Sequence, residues 1–116
     1  MKALEKTTLT AVEAGCTEQL AQFFPQCKRI QIPAEVTAIR AGGKRLQERV
    51  MLEFGEKGHA IFRSELPIEF NDRVSVALKG DGSNAEGSVI AVQYHEGCKA
   101  VAVRFANGSR NWMTQR

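Results

Sequence analysis

The chain has 116 residues, of which 43% are hydrophobic and 25% charged, with a formal net charge of +3. A chain of this length forms a single domain and buries roughly two thirds of its unfolded surface, which is enough for a core without covalent or metal cross-links. No apolar run resembles a signal peptide or approaches the roughly 18 residues of a membrane-spanning helix, so no membrane insertion is expected. The charge is −1 over residues 1–27 and +4 over the remainder, a mild basicity that tolerates a phosphate-bearing partner without requiring one.

Three cysteines stand far apart in the sequence, at Cys16, Cys27 and Cys98. Their odd number and wide spacing fit neither a disulfide framework nor a zinc site. They are therefore predicted to be small buried hydrophobic residues in a reducing, cytoplasmic compartment.

Residues 1–27 are predicted to form an N-terminal helical segment. A hydrophobic stripe at helical spacing supports this interpretation, formed by Leu20, Phe23 and Phe24. Gly15 interrupts the pattern, so the helix begins either near a capping box at Thr10 or at a cap on Thr17. Pro25 ends it. We expect the stripe to dock on the chain's own barrel; association with a second copy is the alternative.

The centre of the chain, residues 45–62, reads as a β-hairpin. Val50, Leu52 and Phe54 alternate with polar or exposed positions, which predicts a strand with one buried face. Gly55 and Gly58 follow closely, so we expect positive φ angles there and turn amides that are free to meet a partner.

Further strands are predicted on both sides of this hairpin. Residues 28–39 have an extended pattern, residues 74–78 and 101–105 alternate with period two, and residues 89–94 are nearly continuously apolar, as in a strand covered on both sides. Ile90, Val92 and Tyr94 are expected to share one face, and Pro33 places the first strand at an edge or a bulge. Six short strands separated by glycine-rich turns predict an all-β, six-stranded antiparallel barrel over residues 28–116. Trp112 is expected to plug an open end of that barrel.

Catalytic chemistry has little support in the sequence. His59 and His95 lie at a strand start and in a turn, without a cysteine or carboxylate at the spacing of a metal site or a catalytic triad. We therefore expect a protein that is not an enzyme and that carries no metal or cofactor.

Residues 28–112 resemble the PilZ domain family, bacterial six-stranded barrels that typically bind the second messenger cyclic di-GMP. The resemblance lies in PAEV at 33–36 with the glycine turn at 42–43, LEFGEKGHAIF at 52–62, DRVSVAL at 72–78, GSVIAV at 87–92 and AVAVRF at 100–105. It implies a PilZ-like barrel that acts in bacterial signalling as a cytoplasmic regulatory protein.

The family's nucleotide site combines an RxxxR arginine pair before the first strand with a D/NxSxxG motif on the central hairpin. Here the second motif reads EFGEKG over residues 53–58, which keeps only its last glycine. Phe23, Phe24 and Cys27 stand where the arginines would be, with Lys28 and Arg29 as weak substitutes. The resemblance thus implies a degenerate nucleotide site whose candidate residues are Lys28, Arg29, Arg45, Glu53, Gly55 and Gly58.

Loss of both arginine forks removes charge-assisted hydrogen bonds on the order of 1.5–3 kcal/mol each. The leading interpretation is a signalling module that binds cyclic di-GMP weakly or not at all and acts through a protein partner. A functional receptor remains open if Lys28, Arg29 and Arg45 converge on the hairpin. A small nucleic-acid-binding barrel is the third interpretation, disfavoured because the aromatic residues fall mostly on inward strand positions and acidic residues interrupt the basic ones.

Overall fold

The structure is a computed structural model that describes residues 15–39, 43–78 and 84–106. Within these ranges the chain forms a short helix, α1 (residues 15–21), and six strands. The strands are β1 (Lys28–Ile39), β2 (Arg45–Glu56), β3 (His59–Arg63), β4 (Arg73–Leu78), β5 (Asn84–His95) and β6 (Cys98–Phe105).

The six strands close into an antiparallel barrel in the order β1-β2-β3-β6-β5-β4. The long β1–β2 ladder runs from the Lys28–Gly55 pair to the Ile39–Arg45 pair. β4 closes the barrel by pairing with β1, and this ladder begins at Ala34, directly after Pro33. The prediction of an all-β, six-stranded antiparallel barrel with an N-terminal helix is confirmed.

Alternating side chains of all six strands fill the barrel. We call this group the interior cluster; its buried members are Ala34, Val36, Ala38, Leu52, Ala60, Phe62, Ile68, Val74, Val76, Val89, Val101, Val103 and Phe105. Ile68 belongs to the connection between β3 and β4, so a loop side chain also packs in this cluster. Trp112, which was expected to serve as a plug, lies outside the described residues.

A β-bulge interrupts the pairing of β2 with β3. The Leu52–Phe62 and Phe54–Ile61 pairs flank it, so β2 has one more residue than β3 at this point. An extra residue turns the following side chains to the opposite face of the sheet. Leu52 and Phe62 accordingly face the interior, whereas Phe54 and Ile61 pack on the outside of the barrel. The expectation that Phe54 shares a face with Leu52 is wrong for this reason.

A second irregularity lies in β5, between Val89 and Ala91. Val89 and Val92 both pack with the interior cluster, while Ile90 packs on the outside of the barrel. Tyr94 is 69% exposed. The expectation of one face shared by Ile90, Val92 and Tyr94 is wrong, because the bulge breaks the simple alternation.

The helix α1 docks on the outside of the barrel. It contributes to what we call the outer cluster: buried Cys16, Leu20, Phe54, Ile61, Ala100 and Ala102, with partly buried Ala21, Phe24, Cys27, Ile90, Ala91 and Cys98. The expectation that the stripe packs on the chain's own barrel is confirmed for Leu20 and Phe24, but Phe23 is 72% exposed. Thr17 lies inside α1 and therefore does not cap it, and the alternative cap at Thr10 lies outside the described residues.

The cysteine prediction is wrong for two of the three residues. Cys16 of α1 and Cys98 of β6 form a disulfide with their Cα atoms 6.2 Å apart, and Cys27 is free. The two partners are 82 positions apart in the sequence. Docking of the helix brings them together, and sequence spacing carries no sign of it. The expectation of a reducing compartment thereby loses the observation that supported it.

Candidate functional site

Glu53 is the extra residue at the β2 bulge and matches the first position of the hairpin motif. Its Oε1 accepts a hydrogen bond of 2.6 Å from the Thr17 hydroxyl of α1. Its Oε2 accepts one of 2.9 Å from Nε of Arg63. The Glu53 side chain is 17% exposed. Both carboxylate oxygens are thus engaged by partners within the chain, and the docked helix supplies one of these partners.

Arg29 lies opposite Phe54 at the start of the β1–β2 ladder. Its guanidinium carbon stands 4.9 Å from the centre of the Phe54 ring, within the range of a cation–π contact. The same guanidinium forms an ion pair with Glu18 of α1. The Glu18 carboxylate therefore neutralises the positive charge of Arg29 that a phosphate ligand would need.

Lys28 and Gly55 face each other across the β1–β2 ladder. Lys28 is exposed, whereas Gly55 is buried and also pairs with Ala60 of β3. The expected positive φ angles at the hairpin are wrong for Gly55 and Gly58, because the described glycines with positive φ are Gly43 and Gly97. Gly55 is part of a strand and not of a turn.

The β2–β3 turn is closed by its own side chains. Oε1 of Glu56 accepts a 3.2 Å hydrogen bond from the Gly58 amide, and its carboxylate also contacts Nδ1 of His59. The Gly58 carbonyl accepts a 2.9 Å bond from the Phe105 amide. Burial raises the pKa of Glu56, but the bonds from His59, Gly58 and Gln26 outweigh it and hold the pKa below its ordinary value. The expectation of a free turn amide at Gly58 is wrong.

Apolar groups occupy two of the positions where the resemblance calls for arginines. The Phe24 ring packs against His59, with ring centres 5.8 Å apart. Cys27 lies half-buried near Glu56, and burial followed by that carboxylate raises the pKa of its thiol to about 11. Phe23 points away from the barrel and is exposed. These positions therefore offer no cation to a nucleotide.

Arg45 does not join the other candidates. It begins β2 opposite Ile39, at the far end of the ladder from the Lys28–Gly55 pair. Nine residues of extended strand separate it from Gly55, a path of about 33 Å along the strand at ~3.3 Å per residue. Five of the six predicted site residues thus lie around the hairpin. Arg45 does not converge on it with Lys28 and Arg29.

The barrel with this hairpin is similar to a solved structure, the PilZ domain with c-di-GMP of YcgR from Escherichia coli. The similarity covers 74% of this chain and 80% of that chain, with a TM-score of 0.55 and 17% sequence identity. This chain has a PilZ-like fold. No protein-family model and no curated protein matches the sequence.

On this PilZ-like barrel, α1 covers the outer face of β2, β3 and β6 beside the hairpin. Sequence reasoning missed the polar contacts that hold the helix there, among them a 3.4 Å hydrogen bond from Nε2 of Gln93 to Oε1 of Gln19. Thr17 and its partner Glu53 are 36 positions apart, and Glu18 and Arg29 are 11 apart. The one available sign was the presence of polar residues next to the hydrophobic stripe of a helix that has to dock.

A groove of about 750 Å³ also opens on the PilZ-like barrel, between β2 and the β5–β6 turn. It exists because β3 is short and pairs with β2 only from Leu52 onward, so Arg45–Met51 has no second partner strand within the described residues. Two exposed apolar side chains line the groove, Met51 and Tyr94. No periodic pattern could have predicted this groove, since it depends on the length of β3.

The described part of the chain holds no group of three or more His, Cys, Asp or Glu side chains placed to bind a metal ion. Among the same residues, no helix has the length and apolar character needed to span a membrane.

Proposed function

We propose that this PilZ-like domain is a non-enzymatic bacterial signalling module with a degenerate nucleotide site, which acts mainly through contacts with a protein partner. One observation carries the proposal. The polar groups that remain at the candidate site, Arg29 and Glu53, are engaged by Glu18 and Thr17 of the chain's own helix.

A cyclic dinucleotide would have to displace these internal contacts before it could use the same groups. Arg29 would give up Glu18, and the Glu53 carboxylate would repel an incoming phosphate. Of the three predicted cations, Lys28 and Arg29 remain near the hairpin once Arg45 is placed at the far end of β2; the neighbouring Arg63 is paired with Glu53. Two single contacts replace the paired arginine forks of the family, so weak or absent binding is expected.

The face on which we expect a ligand of this class is also occupied. Leu20 and Phe24 pack over Phe54 and Ile61 in the outer cluster. The structurally similar domain of YcgR is described with c-di-GMP, and this supports cyclic di-GMP as the nucleotide to test. A receptor that uses Lys28 and Arg29 is the competing outcome of that test.

Contacts with protein are supported by the groove beside β2. The described residues give this edge of β2 no second partner strand, and exposed apolar side chains such as Met51 and Tyr94 flank it. Such an edge is a common surface for protein recognition. Nucleic acid is disfavoured, because base stacking needs adjacent aromatic platforms. Within the described part of the chain, the exposed aromatic residues Phe23, Phe70 and Tyr94 lie in different segments of the sequence.

The proposal includes a cytoplasmic location, where cyclic dinucleotide signalling proteins of this family are expected from the resemblance. In such a location the disulfide between Cys16 and Cys98 would be exposed to cellular reductants. Cytosolic disulfides are uncommon and are usually redox-sensing or catalytic.

The test is a calorimetric titration of the full chain with cyclic di-GMP, combined with backbone amide shifts to locate any contact. We expect weak or absent heat and no shifts at Arg29 or Glu53. A submicromolar dissociation constant with shifts at these residues would overturn the proposal and establish the receptor.

A gain-of-function variant tests the physical reason. Phe23→Arg with Cys27→Arg restores the RxxxR spacing, and Glu53→Asp with Gly55→Ser restores the hairpin motif. We expect this variant to bind cyclic di-GMP more tightly than the natural chain. The matched control, Met51→Arg with Tyr94→Arg, adds two arginines in the groove and should bind no better. Equal gains in both variants would show that charge alone is responsible.

A further inference from the structure

The disulfide joins the helix α1 to the barrel wall beside the candidate site. Cys16 belongs to α1 and is fully buried, and Cys98 is the first residue of β6. The bond therefore fixes the position of α1 on the barrel. While it is intact, Cys16 keeps α1 tethered to the start of β6.

The other contacts that hold the described part of α1 are few. Leu20 is the second buried apolar side chain that it contributes to the outer cluster. Thr17 donates to Glu53, Gln19 accepts a 3.4 Å hydrogen bond from Nε2 of Gln93, and Glu18 pairs with Arg29 at side-chain exposures of 47% and 61%. Exposed ion pairs stabilise little, and a helix this short is marginal without tertiary contacts. The covalent bond therefore carries a large share of the hold on the helix.

We propose that the Cys16–Cys98 pair is a thiol–disulfide switch that holds α1 over the hairpin face when oxidised and lets it open when reduced. Opening would uncover the outer faces of Phe54 and Ile61, and it would free Arg29 and Glu53 from their helix partners. The inference goes beyond the proposed function and does not depend on it, because it concerns the motion of the helix and not the ligand.

The reductant belongs to the dithiol class. One thiolate of the dithiol attacks the sulfur of Cys98, which is partly exposed and lines the groove, whereas Cys16 is buried. The Cys16 sulfur leaves as a thiolate and takes up a proton. The second thiol of the reductant then displaces Cys98 and becomes oxidised. Two electrons pass to the protein, which ends with two thiols, and the reductant ends as a disulfide.

Cys27 is the third cysteine of the same outer cluster. Exchange requires a thiolate, and burial keeps the Cys27 sulfur in its thiol form, with a pKa of about 11. A Cys27→Ser variant should therefore leave the switch intact. This variant also provides a chain in which the two switch cysteines are the remaining thiols.

The test uses the full chain with Cys27→Ser, oxidised and then treated with dithiothreitol as the dithiol. Thiol titration under denaturing conditions should find no free thiol before treatment and two after it. Hydrogen exchange measured by mass spectrometry should then show faster exchange, by about tenfold or more, in peptides covering residues 15–24 after reduction. Peptides from β1, β4 and β5 should exchange at the same rate in both states.

Cys98→Ser in the same background is the permanently reduced form. Its helix peptide should exchange quickly with or without dithiothreitol. Two free thiols in the oxidised sample would overturn the proposal, because no bond would exist. Unchanged helix exchange after reduction would also overturn it, as would a faster exchange of the whole barrel, which would make the bond a general support of the fold. Should Cys98→Ser fail to fold, the comparison of oxidised and reduced chain decides alone.

Discussion

The two hydrophobic clusters of this molecule are built in different ways. The interior cluster has 13 buried residues and draws on all six strands, whereas the outer cluster has six buried residues from α1, β2, β3 and β6. Regular alternation fills the first, and two bulges direct side chains into the second. The barrel and the candidate site therefore depend on different side chains, although they share the same strands.

This difference predicts two kinds of response to substitution. Every strand contributes to the interior cluster, so damage there should reduce the stability of the whole barrel. The outer cluster joins one short helix to a face of a barrel that is already closed. Damage there should open the helix locally and leave the barrel folded.

The largest effect is expected from Phe62→Ala in the interior cluster. Phe62 is the largest fully buried side chain, and its removal leaves a cavity. A loss of about 3–5 kcal/mol in the free energy of unfolding is expected. Urea unfolding followed by circular dichroism measures it. Phe23→Ala, at a side chain that is 72% exposed, is the matched control and should change the free energy by less than ~0.5 kcal/mol.

A smaller loss with a different character is expected from Leu20→Ala in the outer cluster. Leu20 is 4% exposed, and its truncation should cost about 2–3 kcal/mol of helix docking. Hydrogen exchange of residues 15–24 should quicken while the barrel strands keep their protection. An equal increase in all strands would contradict the separation of the two clusters.

Replacement of glycine by alanine should change the free energy of unfolding in opposite directions at Gly87 and Gly15. An added Cβ at Gly87 of β5 would lie 2.5 Å from the backbone oxygen of Arg104, so Gly87→Ala should destabilise the barrel by about 1–3 kcal/mol. At Gly15 of α1 nothing lies within 4 Å of the added Cβ. Gly15→Ala should stabilise the helix by roughly 0.5–1 kcal/mol. Thermal unfolding of the two variants provides the comparison, and a destabilised Gly15→Ala would argue against the docked helix.

The barrel was predictable from the sequence because it follows from local features. Val74 and Val76 alternate as expected, and both are buried in the interior cluster. Pro33 marked the place where β1 gains its second neighbour, since the ladder with β4 begins at Ala34. Period-two alternation and turn residues are short-range signals, and the interior cluster depends on little else.

The surroundings of the candidate site were less predictable, because they depend on contacts between distant residues. Phe54 was assigned to the wrong face since a single bulge residue reverses the alternation. The pairing of Cys16 with Cys98 required the docked position of α1. Motif positions gave Glu53 and Arg29 as candidates, but the partners Thr17 and Glu18 could be assigned only after the helix was placed.

The smallest effect on stability is expected from the Glu56 carboxylate, which lies in the hairpin turn beside the outer cluster. The interior cluster is built of hydrophobic side chains, whereas the turn holds Glu56 with a pKa below its ordinary value. A carboxylate with a lowered folded-state pKa stabilises the fold above its unfolded pKa, about 4.3 for glutamate. That contribution is lost as the pH falls through the folded-state pKa.

Glu56→Gln should therefore be destabilising near neutral pH, and its difference from the natural chain should shrink as the pH falls below about 4.3. The effect should be modest, because the Glu56 side chain is 26% exposed and water screens its contact with His59. Urea unfolding at several pH values measures it. Glu65→Gln removes the same charge from an exposed residue and should show a smaller pH-dependent difference. Equal pH profiles for both variants would mean that the Glu56 carboxylate is not stabilised by its contacts with Gly58 and His59. The hairpin turn would then contribute no pH dependence to the free energy of unfolding.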